Sequence, residues 1–396
     1  MQSEGVSRKE LRQNHHMTEW GARKFTDILP TQTEEEETPG GRHNRKIFYL
    51  DRPFEKLDQE TKQTQIPVNL NNTELNREPR KAKQTQTKQM NDYLSKLEKT
   101  VKQVDAPEIE WSEKPEASSM GADVVFHDTD NHFGSTVENK HGETIYSTET
   151  AKERHREKTQ EFVDYTVRQR VVNTIDTVHW LLGGDMVEGT GIYSGQAHEV
   201  DMYINKQVET ATEELTKTMK RLVKLCNHIG ADLQIVCIPG NHGKNRSGGS
   251  SNKANYDDLV YYNLQHATDI FLEENGDVDV RFQRSDSVVE DTFPLRAGSY
   301  TGYLCHGQHM KTHVGTSSGQ KDALSIVSEY GADIIFRGHY HMNKVEDVNG
   351  VPVVMTGSIK PGGPHEKTLQ AYGPPSSAFY TVTDDEIIEN VKTLTF

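Results

Sequence analysis

From about residue 120 onward, the sequence alternates between short apolar runs and amphipathic stretches of helical length. The apolar runs cover residues 122–127, 177–182, 233–238, 302–306, 333–336 and 351–356. Helical patterns lie between several of them, near residues 150–172, 200–228, 255–273 and 320–330. Strands that are buried on both faces show nearly continuous apolar runs of this kind. The order therefore predicts an α/β layered domain with a mostly buried sheet.

Five short polar motifs follow these strands at the points where the strands end. They are Asp130-Asn131-His132-Phe133-Gly134, Gly184-Asp185, Gly240-Asn241-His242, His306, and Gly338-His339-Tyr340-His341. Taken singly, each has an ordinary structural explanation, since an Asp after a strand is commonly a turn residue or a helix cap. Ligand sites in open α/β sheets nevertheless gather beyond the carboxyl ends of the strands. Five motifs in this arrangement predict one shared site.

The residue types in these motifs suit divalent metal ions. Carboxylate oxygen, amide oxygen and imidazole nitrogen bind Mn, Fe, Zn, Co or Ni. The motifs contain no cysteine, which argues against a structural zinc site. The carboxylate of Asp185 can bridge two ions. Two metals roughly 4 Å apart can generate a hydroxide nucleophile and clamp both sides of an in-line phosphoryl transfer.

The ordered motifs resemble those of the calcineurin-like metallophosphoesterase superfamily, over roughly residues 120–360. The resemblance implies a four-layer α-β-β-α sandwich with two metals at the strand ends. It implies a first metal held by Asp130, His132, Asp185 and His341, and a second held by Asp185, Asn241, His306 and His339. His242 would stabilise the transition state or protonate the leaving group. His242 and Asp185 are therefore the predicted catalytic residues.

One position departs from the pattern of that superfamily. The motif that ends in His242 is often followed by an acidic residue, and here it is followed by Gly243. What orients the second ring nitrogen of His242 is therefore open, with Asp128 as one candidate.

The fourth motif leaves a choice, because His309 and His313 lie close to His306. We prefer His306 because it directly ends a predicted strand and is followed by Gly307. The other two histidines stay alternatives.

A second resemblance concerns the substrate. Residues 183–201 are similar to the exonuclease small subunit of archaeal family-D DNA polymerases and to DNA-exonuclease-type phosphoesterases of phages and archaeal viruses. The matching residues are Gly184, Asp185, Gly189, Gly191, Ile192, Tyr193 and Gln196. The resemblance implies manganese-supported hydrolysis of nucleic-acid phosphodiesters, typically in the 3′ to 5′ direction, and a possible replication or repair protein as partner.

Two residues near these motifs are candidates for binding the nucleic acid. The guanidinium of Arg246 is suited to contacting a substrate phosphate, and the ring of Tyr193 can stack on a terminal base. The alternative readings, a surface arginine and a packed loop tyrosine, have equal weight.

The N-terminal third lacks this alternation of apolar runs and helical patterns. Residues 1–30 carry a weak helix–turn–helix pattern, with helices predicted at 7–13 and 18–29. This head either binds nucleic acid or is a helical hairpin docked on another part of the protein. Residues 31–80 have the polar composition of a linker, interrupted by one predicted strand at 46–50.

Residues 80–104 read as a polar helix with a short a/d stripe. The stripe consists of Met90, Leu94, Leu97, Val101 and Val104. The helix either docks on the body of the protein or forms a dimer through residues 88–104. We accordingly divide the chain into a possible helix–turn–helix or winged-helix head (1–50), a polar linker with a docking or coiled-coil helix (51–115), and the metallophosphoesterase domain (116–396).

The distribution of charge leaves other functions open. Residues 1–110 carry 19 basic and 19 acidic residues and the remainder carries 26 and 41, so the net charge of −15 lies entirely after residue 110. An acidic body repels nucleic acid outside a metal site. This favours the competing function of a phosphatase for phosphoproteins or small molecules. A cyclic-nucleotide phosphodiesterase is a further alternative.

The sequence indicates an intracellular protein without a membrane partner. No apolar run approaches the roughly 18 to 20 residues needed to span a bilayer, and the polar N-terminus lacks the apolar core of a secretory signal. The cysteines, Cys226, Cys237 and Cys305, are odd in number and widely spaced, as in reduced proteins. We expect a cytoplasmic location, in the host cytoplasm if the protein is viral.

Overall fold

The computed structural model describes residues 6–7, 31–37, 44–50, 77–104, 120–193, 195–245, 254–275, 278–285, 290–312, 314–363 and 373–396. The chain forms two compact units, Met1–Gln89 and Met90–Phe396. The boundary between them lies between the two divisions predicted from the sequence, and the predicted domain limits stay predictions.

The first unit contains a three-stranded antiparallel sheet. Its strands are β1 (Val6–Ser7), β2 (Thr31–Glu37) and β3 (Asn44–Leu50), in the order β1-β3-β2. The strand predicted at 46–50 is part of β3. The linker prediction for residues 31–37 is wrong, because backbone pairing with β3 forms a strand there despite the polar composition. The predicted helices at 7–13 and 18–29 lie outside the described residues, apart from Ser7 in β1.

Helix α1 (Arg77–Gln103) corresponds to the predicted polar helix. Leu97 and Val101 are buried in a core cluster of the second unit. The ammonium of Lys220 donates to the backbone carbonyls of Val101 and Val104. The C-terminal end of α1 is therefore docked on the rest of the second unit, and the dimer stays a prediction.

The second unit is built around two sheets. The six-stranded sheet consists of β4 (Gly121–Asp128), β7 (Thr174–Leu182), β8 (Asp232–Cys237), β9 (Val280–Arg284), β15 (Ser376–Thr383) and β16 (Asn390–Thr395). Its order is β16-β15-β4-β7-β8-β9, in which β4, β7, β8 and β9 are parallel.

The five-stranded sheet consists of β10 (Glu290–Leu295), β11 (Tyr300–Cys305), β12 (Ile334–Arg337), β13 (Lys344–Val348) and β14 (Val351–Met355). Its order is β10-β11-β12-β14-β13, and its central strands β11, β12 and β14 are parallel. A small ribbon of β5 (Val137–Glu138) and β6 (Thr144–Tyr146) lies outside both sheets.

Four further α-helices lie in the described part of this unit. They are α2 (Thr148–Gln169), α3 (Ile204–Ile229), α4 (Tyr256–Asn275) and α5 (Ser317–Tyr330). The side chain of Ser147 caps the start of α2, and Gly230 ends α3 in a left-handed conformation. All predicted helices and strands of this region are present. None of the described helices is both long and apolar enough to cross a membrane.

Three apolar clusters separate four layers. Within β4, Val124 and Phe126 pack towards α2, α3 and α4, whereas Val125 packs towards the second sheet, as the alternation of a strand requires. On the far side, Ala323 of α5 packs against the five-stranded sheet. The predicted four-layer α-β-β-α sandwich is confirmed, and the carboxyl ends of the central parallel strands carry the loops described next.

Candidate metal centre

The loops after β4 and β7 run side by side, and this brings the first two motifs together. The backbone N–H of Asp130 donates to Gly184 (3.0 Å), and that of His132 donates to Asp185 (2.9 Å). Asp130, His132 and Asp185 have φ values of 54°, 49° and 54°. Non-glycine residues rarely adopt this left-handed conformation, and such strain concentrates at functional sites.

A first group of ligand atoms comes from Asp130, His132 and His341. The Nε2 atoms of the two histidines are 3.1 Å apart, and His341 Nε2 lies 3.2 Å from Asp130 Oδ1. Asp130 Oδ2 accepts hydrogen bonds from the Thr129 hydroxyl (2.7 Å) and the His339 backbone (3.0 Å). Asp130 Oδ1, by contrast, is buried and has no hydrogen-bond donor among the described residues. This oxygen is therefore available to a cation.

A second group comes from Asp185, His306 and His339. His306 Nε2 lies 3.0 Å from both Asp185 Oδ2 and Asn241 Oδ1, while its Nδ1 lies 2.8 Å from the Gly183 carbonyl oxygen. When Nδ1 donates to that carbonyl, Nε2 faces two acceptor oxygens, so either a proton or a metal ion must lie between them. Burial lowers the pKa of His306, but the negative charge of Asp185 outweighs it and raises the pKa to about 10.

Asp185 lies between the two groups. Its Oδ2 is 3.0 Å from His306 Nε2 and 4.0 Å from His132 Nε2, and its Oδ1 accepts the backbone N–H of His242 (2.7 Å). The combined donors are carboxylate oxygen, amide oxygen and imidazole nitrogen, a set that fits divalent transition metals. The structure thus brings together all the residues that were predicted from the sequence as metal ligands. They are Asp130, His132, Asp185, Asn241, His306, His339 and His341.

Two glycines of the motifs are required by this close packing. A Cβ atom at Gly240 would collide with Asp185 Oδ1, and one at Gly338 would collide with Asp130 Oδ2. Only glycine leaves the backbone close enough to the two carboxylates.

His242 lies beside the first group. Its ring is 4.6 Å from that of His132, and its Nδ1 is 3.0 Å from the Glu188 carbonyl oxygen and 3.4 Å from Glu188 Oε1. Burial lowers the pKa of His242, but the charges of Glu188 and Asp185 outweigh it and raise the pKa to about 9. A proton held on this ring is suited to transfer to a leaving oxygen.

Glu188, and not Asp128, accounts for the second ring nitrogen of His242. The carboxylate of Asp128 instead accepts hydrogen bonds from Lys158 (2.6 Å) and Trp180 (3.1 Å). The suggestion that Asp128 orients His242 is therefore wrong, because that carboxylate is already paired within the core.

No sequence motif predicted Glu188 as a site residue. It is fully buried, and its Oε2 lies 2.9 Å from His132 Nδ1 and 3.2 Å from Lys360 Nζ. Its Oε1 accepts a hydrogen bond from Gln196 Nε2 (2.9 Å). The available signal was a carboxylate three residues after Asp185 in a loop otherwise rich in glycine.

Of the predicted substrate-binding residues, Tyr193 is described and Arg246 lies outside the described residues. The Tyr193 ring is 6.3 Å from the His242 ring, and its hydroxyl donates to Glu199 Oε2 (2.7 Å). The side chain is half-buried, which places it at the edge of the site.

The alternatives to the fourth motif differ in position. His306 follows β11 and is fully buried at the centre of the site, whereas His309 is exposed. His313 lies outside the described residues.

Comparison with known proteins finds one short sequence similarity and several similar structures. The chain is similar to the DNA polymerase II small subunit of Halobacterium salinarum, with 43% identity over 63 residues, which cover 16% of this chain and 10% of that protein. The matched region thus spans about a tenth of the curated relative.

Among solved structures, an archaeal phosphodiesterase is 12% identical, with 69% of this chain and 99% of that chain covered and a TM-score of 0.30. Zinc-bound Vps29 from Entamoeba histolytica is 14% identical, with 69% and 98% covered and a TM-score of 0.30.

The family profile described as Calcineurin-like phosphoesterase matches residues 124–343, more than half of the chain. This range begins in β4 and ends just after His341, so it contains all five motifs and both groups of ligand atoms. The strand-end loops, the buried ligand groups and this match agree: the chain belongs to the calcineurin-like phosphoesterase family.

Proposed function

We propose that this protein is a dinuclear metal-dependent phosphodiesterase that acts on nucleic acid, as a nuclease of the DNA exonuclease type. The observation that carries the dinuclear part is the position of Asp185 Oδ2, between His306 Nε2 at 3.0 Å and His132 Nε2 at 4.0 Å. A carboxylate oxygen shared by two ligand groups suits a pair of ions. When bound, two such ions lower the pKa of water and neutralise the charge of phosphoryl oxygens.

The metal ligands fall into two sets that share one residue. Asp130, His132 and His341 would hold one ion with Asp185, and Asn241, His306 and His339 would hold the other with Asp185. We propose manganese because the resemblance of residues 183–201 to DNA-exonuclease-type phosphoesterases implies it. The nitrogen and oxygen donors, without a thiolate, suit manganese as they also suit Fe, Zn, Co or Ni.

His242 is the group that we propose transfers a proton to the leaving oxygen. Its Nδ1 lies 3.0 Å from the Glu188 carbonyl oxygen, so the ring is held with Nε2 directed away from that contact. Glu188 Oε2 also lies 2.9 Å from His132 Nδ1, so one side chain positions a metal ligand and the proton donor together.

Two features support nucleic acid as the substrate. The chain has a local similarity to a DNA polymerase small subunit, and Tyr193 lies 6.3 Å from His242 with its ring half-buried. We propose that Tyr193 stacks on a terminal base and that Arg246 contacts a phosphate. The acidic residues outside the site instead favour a phosphomonoester of a protein or a small molecule, which is the second candidate.

The experiment incubates the purified protein and Mn²⁺ with end-labelled single- and double-stranded DNA and RNA. The p-nitrophenyl monoester and bis(p-nitrophenyl) phosphate are run in parallel. We expect nucleotide release that is lost in Asp185→Ala and reduced by roughly 100- to 10,000-fold in His242→Ala. Cleavage of the monoester alone would reject the nuclease and favour a phosphatase. Cleavage of none of these substrates would reject the hydrolase function.

A further inference from the structure

Asp257 lies in the first turn of α4, fully buried, and its carboxylate points away from its own helix. Oδ2 accepts the backbone N–H groups of Asp185 and Gly240, each at 2.9 Å. Oδ1 accepts those of Met186 (3.1 Å) and Val187 (3.3 Å). One side chain therefore ties the loop after β7 to the loop after β8.

We infer that Asp257 is a positioning residue of the metal centre, acting through the backbones that carry Asp185 and Asn241. Asp185 has a φ of 54°, a conformation that surrounding contacts must enforce. Asp257 supplies such contacts on the residue itself and on the two that follow. It also fixes Gly240, whose neighbour Asn241 faces His306 Nε2 at 3.0 Å.

The packing around Gly243 explains why the carboxylate beside this loop comes from Asp257 of α4 and not from position 243. A Cβ atom at Gly243 would collide with Asn255 Oδ1 and would lie 2.9 Å from Asp257 Cγ. The space beside His242 is thus filled by the start of α4, and no side chain fits at 243 itself. Asp257, which follows His242 by 15 positions, occupies the space beside the loop that carries Gly243.

Asn255 completes the arrangement. Its Oδ1 accepts the backbone N–H of Asp257 (2.8 Å), and its Nδ2 donates to the Gly240 carbonyl oxygen (2.8 Å). Asn255 therefore aims the Asp257 carboxylate and holds Gly240 from its other side. The first contact caps the start of α4, and the second joins that helix start to the loop that carries Asn241.

The test uses the full chain with Asp257→Asn, which keeps the side-chain shape but turns one acceptor into a donor that faces backbone N–H groups. Outer-sphere substitutions of this kind weaken metal binding or activity by about 10- to 100-fold. We expect Asp257→Asn to lower Mn²⁺ affinity by this factor in titration calorimetry, with a matching fall in kcat for bis(p-nitrophenyl) phosphate. The control is Asp258→Asn, which removes the neighbouring carboxylate of the same helix turn and should leave both quantities unchanged.

Gly243→Ala is the second variant, because its Cβ displaces Asn255 and Asp257 while the carboxylate stays in the chain. It should reproduce the loss of Mn²⁺ affinity. Wild-type Mn²⁺ affinity in folded Asp257→Asn, or in Gly243→Ala if Asp257→Asn does not fold, would overturn the inference. Failure of both to fold, with Asp258→Asn folded, would also overturn it, since the role would then be structural.

The inference rests on the proposed phosphodiesterase only for its activity measurement. If the wild-type protein binds Mn²⁺ but cleaves no ester, while Asp257→Asn binds Mn²⁺ more weakly, the positioning role stands and the proposed function fails.

Discussion

Asp128 and Asp130 are two residues apart and equally buried, yet their surroundings differ. Asp128 Oδ1 accepts from Lys158 (2.6 Å) and Asn131 (2.8 Å), and its Oδ2 lies 3.1 Å from donors on His155 and Trp180. Asp130 Oδ1 has no hydrogen-bond donor among the described residues. The chain neutralises the first carboxylate with its own groups and leaves one oxygen of the second for a cation.

The pKa values of both carboxyl groups are lowered, but different neighbours lower them. Burial acts to raise the pKa of Asp128, but the charges of Lys158 and His155 outweigh it and hold that pKa well below its usual range. Burial also acts to raise the pKa of Asp130, and the close imidazoles of His341 and His306 lower it. A buried carboxylate paired with lysine already has its counter-charge, whereas one surrounded by neutralisable imidazoles can take up a metal ion.

The largest expected effect is on activity, from removing the cation-facing carboxylate. Asp130→Ala should lower the rate of phosphoester cleavage by at least about 1,000-fold, about 4 kcal/mol of transition-state stabilisation, because a metal ligand is lost. The free energy of unfolding in EDTA should change less than in the Asp128→Asn variant. Steady-state kinetics and urea titration measure the two quantities. Near-wild-type kcat would show that Asp130 is not a ligand.

Breaking the ion pair between Asp128 and Lys158 should instead lower the free energy of unfolding. Asp128→Asn leaves Lys158 buried without its counter-charge, and such changes cost about 3–5 kcal/mol. Urea unfolding followed by circular dichroism gives the free energy of unfolding. A loss below about 1 kcal/mol would mean that the pair adds little to stability.

Adding metal should stabilise the folded protein through Asp130 and not through Asp128, because only the native state holds the ligand groups together. Mn²⁺ at about 100 times its Kd should raise the free energy of unfolding by about 2.7 kcal/mol for one site. The gain should persist in Asp128→Asn, vanish on adding EDTA, and shrink in Asp130→Ala. Thermal unfolding with and without metal measures it. An equal gain in Asp130→Ala would place the ion elsewhere.

The smallest net effect is expected from removing both charges of the core pair. Asp128→Asn combined with Lys158→Met should cost less than about 2 kcal/mol, less than Asp128→Asn alone, since no unpaired ammonium remains. A double-mutant cycle in urea gives the coupling. Additive losses would show that Lys158 and Asp128 act independently.

The sequence predicted the parts of the fold that have a local pattern. The strands β4, β7, β8, β11, β12 and β14 are buried apolar runs, and their order placed Asp130, Asp185 and His306 at one edge. The strands β9, β10, β13, β15 and β16 were missed. Four of these are only partly buried, and β15 is buried but rich in Ser and Thr, so apolar runs do not mark them.

The supporting residues of the site had no such pattern. Asp257 hydrogen-bonds to the backbone of Asp185, 72 positions away, and Lys158 pairs with Asp128, 30 positions away. Backbone N–H groups are common to almost every residue, so no motif marks the carboxylate that binds them. Glu188 lay within a recognised stretch, but its two histidine partners come from other loops.

Two divalent ions that share Asp185 should be visible in crystals grown with Mn²⁺ and measured at the manganese absorption edge. We predict two anomalous peaks, one among Asp130, His132 and His341 and the other among Asn241, His306 and His339, with Asp185 touching both. A single peak, or peaks that do not contact Asp185, would show that Asp185 does not bridge two ions.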